Sequence, residues 1–213
     1  MSDVNSRRRY TSPVREQSAQ RTRGAIVTAA LELFVNQGYD ATTIDQIAAR
    51  AQVSKPTVFA VGSKAQLLKL ARDSAIAGDH DPVPMAQRPA YLDIVNAADS
   101  EQALRRYAQF SAGIASRFSA INDVLRQAHT SAPELAELWR VSEQERLTGA
   151  RRIVNVLTEK GPLKAGLDAD TAADILWLLT APEQHQRLVG QRAWTFERYA
   201  EWYADTMVRL LLP

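Results

Sequence analysis

From Gln20 onward, apolar residues recur at the three- and four-residue spacing of one helix face after another. Ile26, Ala29, Ala30, Leu33 and Phe34 share a face, and Gly38 follows where a left-handed helix terminator is expected. Thr42 or Thr43 is placed to cap a short second helix with Ile44, Ile47 and Ala48 inward. Ser54 caps a third, with Pro56 in its first turn, where a missing amide proton costs nothing. Ser63-Lys64-Ala65-Gln66 reads as a capping box opening a fourth helix to about Ala77. Residues 79–98, with Pro82, Pro84 and Pro89, predict a loop with a partial helix around Tyr91 to Val95. Asp99 opens a long helix through Leu104, Tyr107, Ser111, Ile114, Phe118, Ile121 and Leu125, with weak helix formers near Arg117 to Asn122 marking a place to break. A further helix runs from Pro133 to Gly161-Pro162, another from Asp168 to before Pro182, and the last from Thr195. There is no strand pattern and no repeat. The expectation is an all-α chain of nine or ten helices.

Composition narrows what such a chain can do. It has 213 residues and no Cys, which excludes a disulfide scaffold, a thiolate metal site and a Cys nucleophile. The three histidines, His80, His129 and His185, are too dispersed for a zinc cluster, so no metal is expected. No apolar run could span a bilayer, and the first residues lack the apolar segment of a secretory signal, so a cytoplasmic location is expected. There is no Gly-rich phosphate loop, no Asp-rich metal motif and no Ser/His/Asp set at a nucleophile elbow; neither enzymatic activity nor a cofactor is expected.

The net charge of +2 hides an asymmetry. Residues 1–70 carry ten Lys/Arg and five Asp/Glu, whereas residues 71–213 carry sixteen and nineteen. A basic head on a mildly acidic body points to an anionic partner for the head. Arg7, Arg8, Arg9 and Arg15 sit among Ser, Gln and Thr with little to bury, so residues 1–19 are expected to be a disordered arm. Such an arm would either enter a minor groove or serve as a nonspecific tether.

Thr43–Arg50 and Ser54–Val61 are two short helices on a tight turn, the arrangement of a helix-turn-helix. The motif needs a small residue where the helices cross (Ala48), a turn residue tolerating positive φ four positions on (Gln52), and a buried branched residue in the second helix (Val58). The wider run is Thr22-Arg23 … Ala29-Ala30-x-x-x-Phe34-x-x-x-Gly38-Tyr39-x-x-Thr42-Thr43-Ile44-x-x-Ile47-Ala48 … Val53-Ser54-x-Pro56-Thr57-Val58-Phe59 … Gly62-Ser63-Lys64-x-x-Leu67-Leu68. Over about residues 20–70 it closely resembles the TetR family of bacterial transcriptional regulators. Two departures stand out: Gln52 occupies the usual turn glycine, and Phe59 to Lys64 spans five steps where the family usually has six.

The resemblance implies a homodimer, most simply a repressor, that binds a palindromic double-stranded DNA operator and is released by a small effector. It divides the chain into an arm at 1–19, a helix-turn-helix domain at 20–66 and an effector-binding and dimerisation domain at 67–213. Matched position and chemistry together give Thr43 and Lys64 phosphate contacts, Lys55 a guanine edge and Thr57 a thymine methyl. Ser54 lies on the same turn, and Pro56 and Phe59 shape the surface. In the C-terminal domain Tyr107, Phe110, Ile114, Trp139 and Trp177 are either packed core or the walls of an effector cavity, with His129 placed to orient a ligand. The resemblance puts the dimer seam on the last two long helices, at Ile175, Leu179, Tyr203 and Leu210. The rival reading is a helical small-molecule-binding protein whose helix-turn-helix has lost its DNA.

Overall fold

The computed structural model describes the backbone from Pro13 to the C-terminus and side chains from Glu16. Arg7, Arg8 and Arg9, the basis of the expected arm, lie outside the described residues. All regular structure among the described residues is helical. Helix α1 (Pro13–Ala41) starts earlier than the composition implies, within the 1–19 segment. Pro13 at the first helical position and Glu16 in the first turn are a helix-start signature, and they prevail over the lack of apolar residues. Gly38, at φ 83° and ψ 170°, breaks the helical path and brings Tyr39 back to stack on Phe34 at 5.6 Å.

Helices α2 (Ile44–Arg50), α3 (Lys55–Val61) and α4 (Lys64–Ala77) follow in close succession. Thr43 is the cap of α2; its side chain accepts from the Gln46 amide while Gln46 Oε1 accepts from the Thr43 amide at 2.8 Å. Ser63 and Gln66 form the same reciprocal box at the start of α4, which ends at Gly78 in the left-handed conformation (φ 86°). The proline-rich stretch after α4 holds one 3₁₀ turn at Met85–Gln87 and then α5 (Pro89–Val95). Helix α6 (Ser100–Ala128) runs unbroken through Arg117 to Asn122, where weak formers mark a place to break. Phe118, Ile121 and Leu125 are buried there, and tertiary packing outweighs local propensity. Helices α7 (Pro133–Lys160), α8 (Ala169–Leu179), α9 (Pro182–His185) and α10 (Phe196–Leu211) complete the chain. Between α9 and α10 the backbone widens, the Arg192 amide reaching the Arg187 carbonyl five residues back at 3.1 Å.

Helix α6 is the mast on which the rest is hung: α1, α4, α5, α7, α9 and α10 all pack against it. Its two halves serve two cores. The second half, with the start of α7, closes a core built from Ile26, Phe34, Ile47, Val58, Leu67 and Leu68 of the first four helices. The first half packs with α7, α8 and α10 around Leu104, Ile153, Leu176, Tyr199 and Tyr203. The apolar core of the helix-turn-helix therefore runs on into residues 118–138 instead of closing at residue 66.

Helix α4 is fastened at both ends of its far turn. Arg117 of α6 donates through Nε to the Ala75 carbonyl at 3.2 Å and through Nη2 to the Ile76 carbonyl at 3.3 Å, a cation at the negative end of the helix dipole. Just beyond, His80 bridges Thr28 of α1 (3.1 Å) and Ser74 of α4 (3.0 Å). Arg88 forks onto the Asp79 carboxylate at 2.6 and 2.9 Å, which holds that carboxyl down at about 2.

Candidate functional site

The two-helix unit places its side chains as the spacing requires. Ile47, Ala48 and Val58 are buried at the crossing, leaving the outer face of α3 in solvent. Ser54, Lys55, Pro56, Phe59 and Ala60 are all exposed, Phe59 to 56%. The Ser54 oxygen accepts from the Thr57 amide at 3.3 Å and pairs with the Thr57 hydroxyl at 2.7 Å, so the first turn of α3 is fixed before anything docks on it.

The two lysines are less free than their positions in the sequence imply. Lys55 Nζ sits 2.9 Å from Asp45 of α2, in an open ion pair worth at most about 1 kcal/mol and readily exchanged for another anion. Lys64 Nζ donates to the carbonyls of Tyr39 and Thr42 at 3.0 and 3.1 Å and lies 4.1 Å from the centre of the Tyr39 ring. Two of its three donors thus tie the end of α1 to the start of α4, leaving one for an outside phosphate. Its first task is positional.

Gln52 has φ 56°, the left-handed conformation expected at this turn. A side chain there is strained by roughly 1–2 kcal/mol. Gln52→Gly is therefore expected to raise stability by about 1 kcal/mol, since added chain entropy offsets part of the relief. That corresponds to a Tm shift of about 2–4 °C in a chain of this size; an unchanged melting curve would show that the turn stores no strain. The short link between α3 and α4 depends on Gly62. A Cβ there would lie 2.8 Å from Gln66 Cβ and Oε1, in the capping box of α4.

A cavity of about 570 Å³ opens between α4, α6 and α7, closed on one side by the 3₁₀ turn and α5. Tyr91, Tyr107, Phe110, Ile114, Phe118 and Ile153 supply its apolar walls. Three of the expected effector residues, Tyr107, Phe110 and Ile114, are thus brought together. The other three lie elsewhere. His129 caps the far end of α6 and stacks against Trp139 at 5.5 Å, beside the helix-turn-helix core. Trp177 packs against the other core, outside the cavity wall, with its carbonyl accepting from Arg146 at 2.6 Å. A three- and four-residue apolar period fixes which face is inward but not which neighbour it meets.

Four arginines in that wall had no sequence signal: Arg72 of α4 and Arg140, Arg146 and Arg152 of α7. Arg140, Gln144, Thr148 and Arg152 recur every four residues, a polar stripe that alone reads as a solvated face. Arg72 is 3% exposed. Its guanidinium donates to Ser142 at 3.1 Å, to Asp73 at 2.8 Å and to Glu145 of α7, so it joins α4 to the cavity's opposite wall. Burial pushes the Tyr107 phenol up to about 12, with Thr180 in hydrogen-bonding reach.

Of the expected seam residues, Tyr203 is 1% exposed and stacks on Tyr199 at 5.3 Å inside the protomer, so it belongs to the core. Ile175 and Leu179 are half-buried, and Leu210 is 43% exposed. Leu178, which the inward-face pattern passed over, is the most exposed large apolar residue among those described, at 59%.

Comparison with known proteins agrees with this architecture. The sequence pattern of the bacterial regulatory proteins of the tetR family matches residues 26–71. An uncharacterized HTH-type transcriptional regulator of Bacillus subtilis (strain 168), YdeS, is 31% identical over 157 residues, spanning 73% of this chain and 74% of its own. Among solved structures, a transcriptional regulator from Saccharomonospora viridis in complex with choline superposes with a TM-score of 0.69 at 18% identity, covering 92% of this chain and 99% of its own. FadR from Bacillus subtilis in complex with stearoyl-CoA superposes with a TM-score of 0.69 at 19% identity, covering 86% and 96%. No helix among the described residues is long and apolar enough to cross a membrane. Helix-turn-helix geometry, sequence relationship and whole-chain fold lead to one assignment: the chain belongs to the TetR family of bacterial transcriptional regulators and is not an enzyme.

Proposed function

We propose that this regulator is a repressor that binds a palindromic operator as a homodimer and leaves it when a small organic molecule fills the cavity between α4, α6 and α7. The observation that carries this reading is the dual membership of α4. Leu67, Leu68 and Ala71 belong to the helix-turn-helix core, while Arg72 and Ile76 on the next turn line the cavity. A molecule that moves this helix moves the reading heads. Two such heads must match half-sites about one DNA turn apart, ~34–36 Å, so a small displacement is enough to release DNA. Functionally, residues 20–66 are the reading unit, 67–213 the sensing and dimerising unit, and 1–19 an arm whose arginines extend the basic surface. Thr43, Ser54, Lys55, Pro56, Thr57, Phe59 and the remaining donor of Lys64 make the DNA contacts. The choline and stearoyl-CoA complexes of its structural neighbours support a small organic effector for this chain too.

The dimer is proposed to form through α8 and α10, with Ile175, Leu178, Leu179 and Leu210 at the seam. Leu178→Glu with Leu210→Glu is expected to give a monomer by light scattering at micromolar concentration, with operator affinity lost alongside. A dimer surviving both charges would place the seam elsewhere.

Operator binding is tested by incubating the full chain with random fragments of its own genome and measuring affinity for the fragment retained. A specific site should bind about 10³-fold or more tighter than random DNA at physiological salt. Equal affinity for both would favour a ligand-binding protein with a vestigial helix-turn-helix.

A further inference from the structure

The cavity's charge identifies the kind of molecule it takes, granted the effector reading above. Four guanidinium groups and one carboxylate, Glu145, line it. Three of the four are not equally available. Arg72 is neutralised by Glu145 and Asp73, Arg140 is held outward by Glu137, and Arg152 sits exposed at the rim. Arg146 differs. Its side chain is 15% exposed, its nearest carboxylate is Glu143 at 3.6 Å, and its Nε is buried with no partner among the described residues. Its one close hydrogen bond, from Nη2 to the Trp177 carbonyl at 2.6 Å, goes to a neutral acceptor, and a cation so placed in an otherwise apolar wall is best matched by an anionic guest. The surrounding groups suit the same guest. Of the hydroxyls in the wall, those of Ser111 and Thr180 donate to carbonyls one turn back, of Tyr107 at 2.6 Å and Leu176 at 2.8 Å, whereas the Tyr107 phenol lies within the field of Arg146 and stays a donor throughout the neutral range. Beyond this polar end the walls are apolar, and Gly149 of α7 faces open space where any larger residue would narrow the cavity.

We propose that the effector is an amphipathic organic acid, its carboxylate received by the Arg146 guanidinium and the Tyr107 hydroxyl and its apolar body lying along Phe110, Ile114 and Ile153. A cationic or quaternary-ammonium ligand is disfavoured by the same arginines. A neutral one forgoes the charge-assisted bond to Arg146.

The test is calorimetric titration of the full chain, without DNA, against two matched sets: decanoate, decan-1-ol and decylamine, and 2-naphthoate, 2-naphthol and 2-naphthylmethylamine. The first set represents aliphatic acids and the second aromatic ones. At least one acid should bind about 10–100-fold tighter than its alcohol, the value of a charge-assisted hydrogen bond at a buried site, and its amine weakest of all. Arg146→Gln should bring the acid-to-alcohol ratio near one while alcohol binding persists. Because Arg146 also holds the Trp177 carbonyl, Tyr107→Phe serves as the gentler variant, expected to weaken the acid alone by about 5–10-fold. Gly149→Leu should abolish every ligand, placing the binding in this cavity. The proposal is overturned if neither acid binds, if an alcohol or amine equals its acid, or if Arg146→Gln keeps the preference. An acid that binds with the expected preference yet leaves operator affinity unchanged supports the charge assignment and counts against the effector reading alone.

Discussion

Phe59→Ala lowers affinity for the retained operator fragment by about 100-fold or more, with the melting temperature changed by no more than about 2 °C. Each half of this expectation has its own cause. Phe59 is 56% exposed on the outer face of α3, so its removal strips little from the core and falls in the class of surface changes worth about ±0.5 kcal/mol. On DNA the same side chain is the largest apolar group the reading helix presents, and a lost groove contact costs about 1–3 kcal/mol. A dimer makes that contact twice, which multiplies the loss. The salt dependence separates this from a charge effect. Phe59→Ala should leave the slope of log affinity against log salt unchanged, whereas loss of one phosphate contact per subunit reduces it by about 2 for the dimer. Fluorescence anisotropy at several salt concentrations reads both. Full affinity in Phe59→Ala would mean that α3 does not present this face to DNA.

Local chemistry made much of this legible in the sequence. The Ser63–Gln66 box, the Asp99 and Asp168 caps and the left-handed Gln52 are set by residues within four positions of each other, and the structure has each where the spacing puts it; of the two threonines placed to cap α2, Thr43 is the one that does. Pro89 likewise starts a helix through Tyr91 to Val95. What escaped depends on partners distant in sequence. The stripe of Arg140, Gln144, Thr148 and Arg152 looks like a solvated face until α4 and α6 are laid across from it. Trp139 and Trp177 look like cavity walls until the first is seen beside His129 and the second behind Arg146. Lys64 is positioned as a phosphate contact by its place in the motif. Only the fold shows that it holds the carbonyls of Tyr39 and Thr42. Leu178 is passed over because periodicity ranks residues by the inward face of their own helix, and this side chain lies on the other side.

The ion pair between Arg72 and Glu145 should separate folding from signalling, because its two ends are buried so unequally. Arg72 is 3% exposed and Glu145 57% exposed at the side chain. Glu145→Ala leaves a buried guanidinium with Asp73 and Ser142 as its remaining partners, and is expected to cost about 2 kcal/mol, less than the loss of a fully isolated charge. Arg72→Met instead places an apolar chain of similar length where the guanidinium lay, frees the hydrated carboxylates of Glu145 and Asp73, and leaves the buried Ser142 hydroxyl without this donor. Stability should fall by about 1–2 kcal/mol. Yet both variants cut the one charged link among the described residues between α4 and α7 across the cavity. Ligand binding would then cease to bias the position of the reading helices, because an effector shifts an equilibrium only through its differential affinity for the two states. In the wild-type protein, coupling of the usual size weakens operator binding by about 5–150-fold when the cavity is filled. In Arg72→Met that factor should fall close to one, with operator affinity in the absence of ligand retained. Reciprocity gives an internal check, since ligand affinity measured with and without operator must show the same collapse. If Arg72→Met responds as the wild type does, α4 is driven instead through its far end, where Arg117 holds the Ala75 and Ile76 carbonyls, and Arg117→Gln becomes the variant that uncouples.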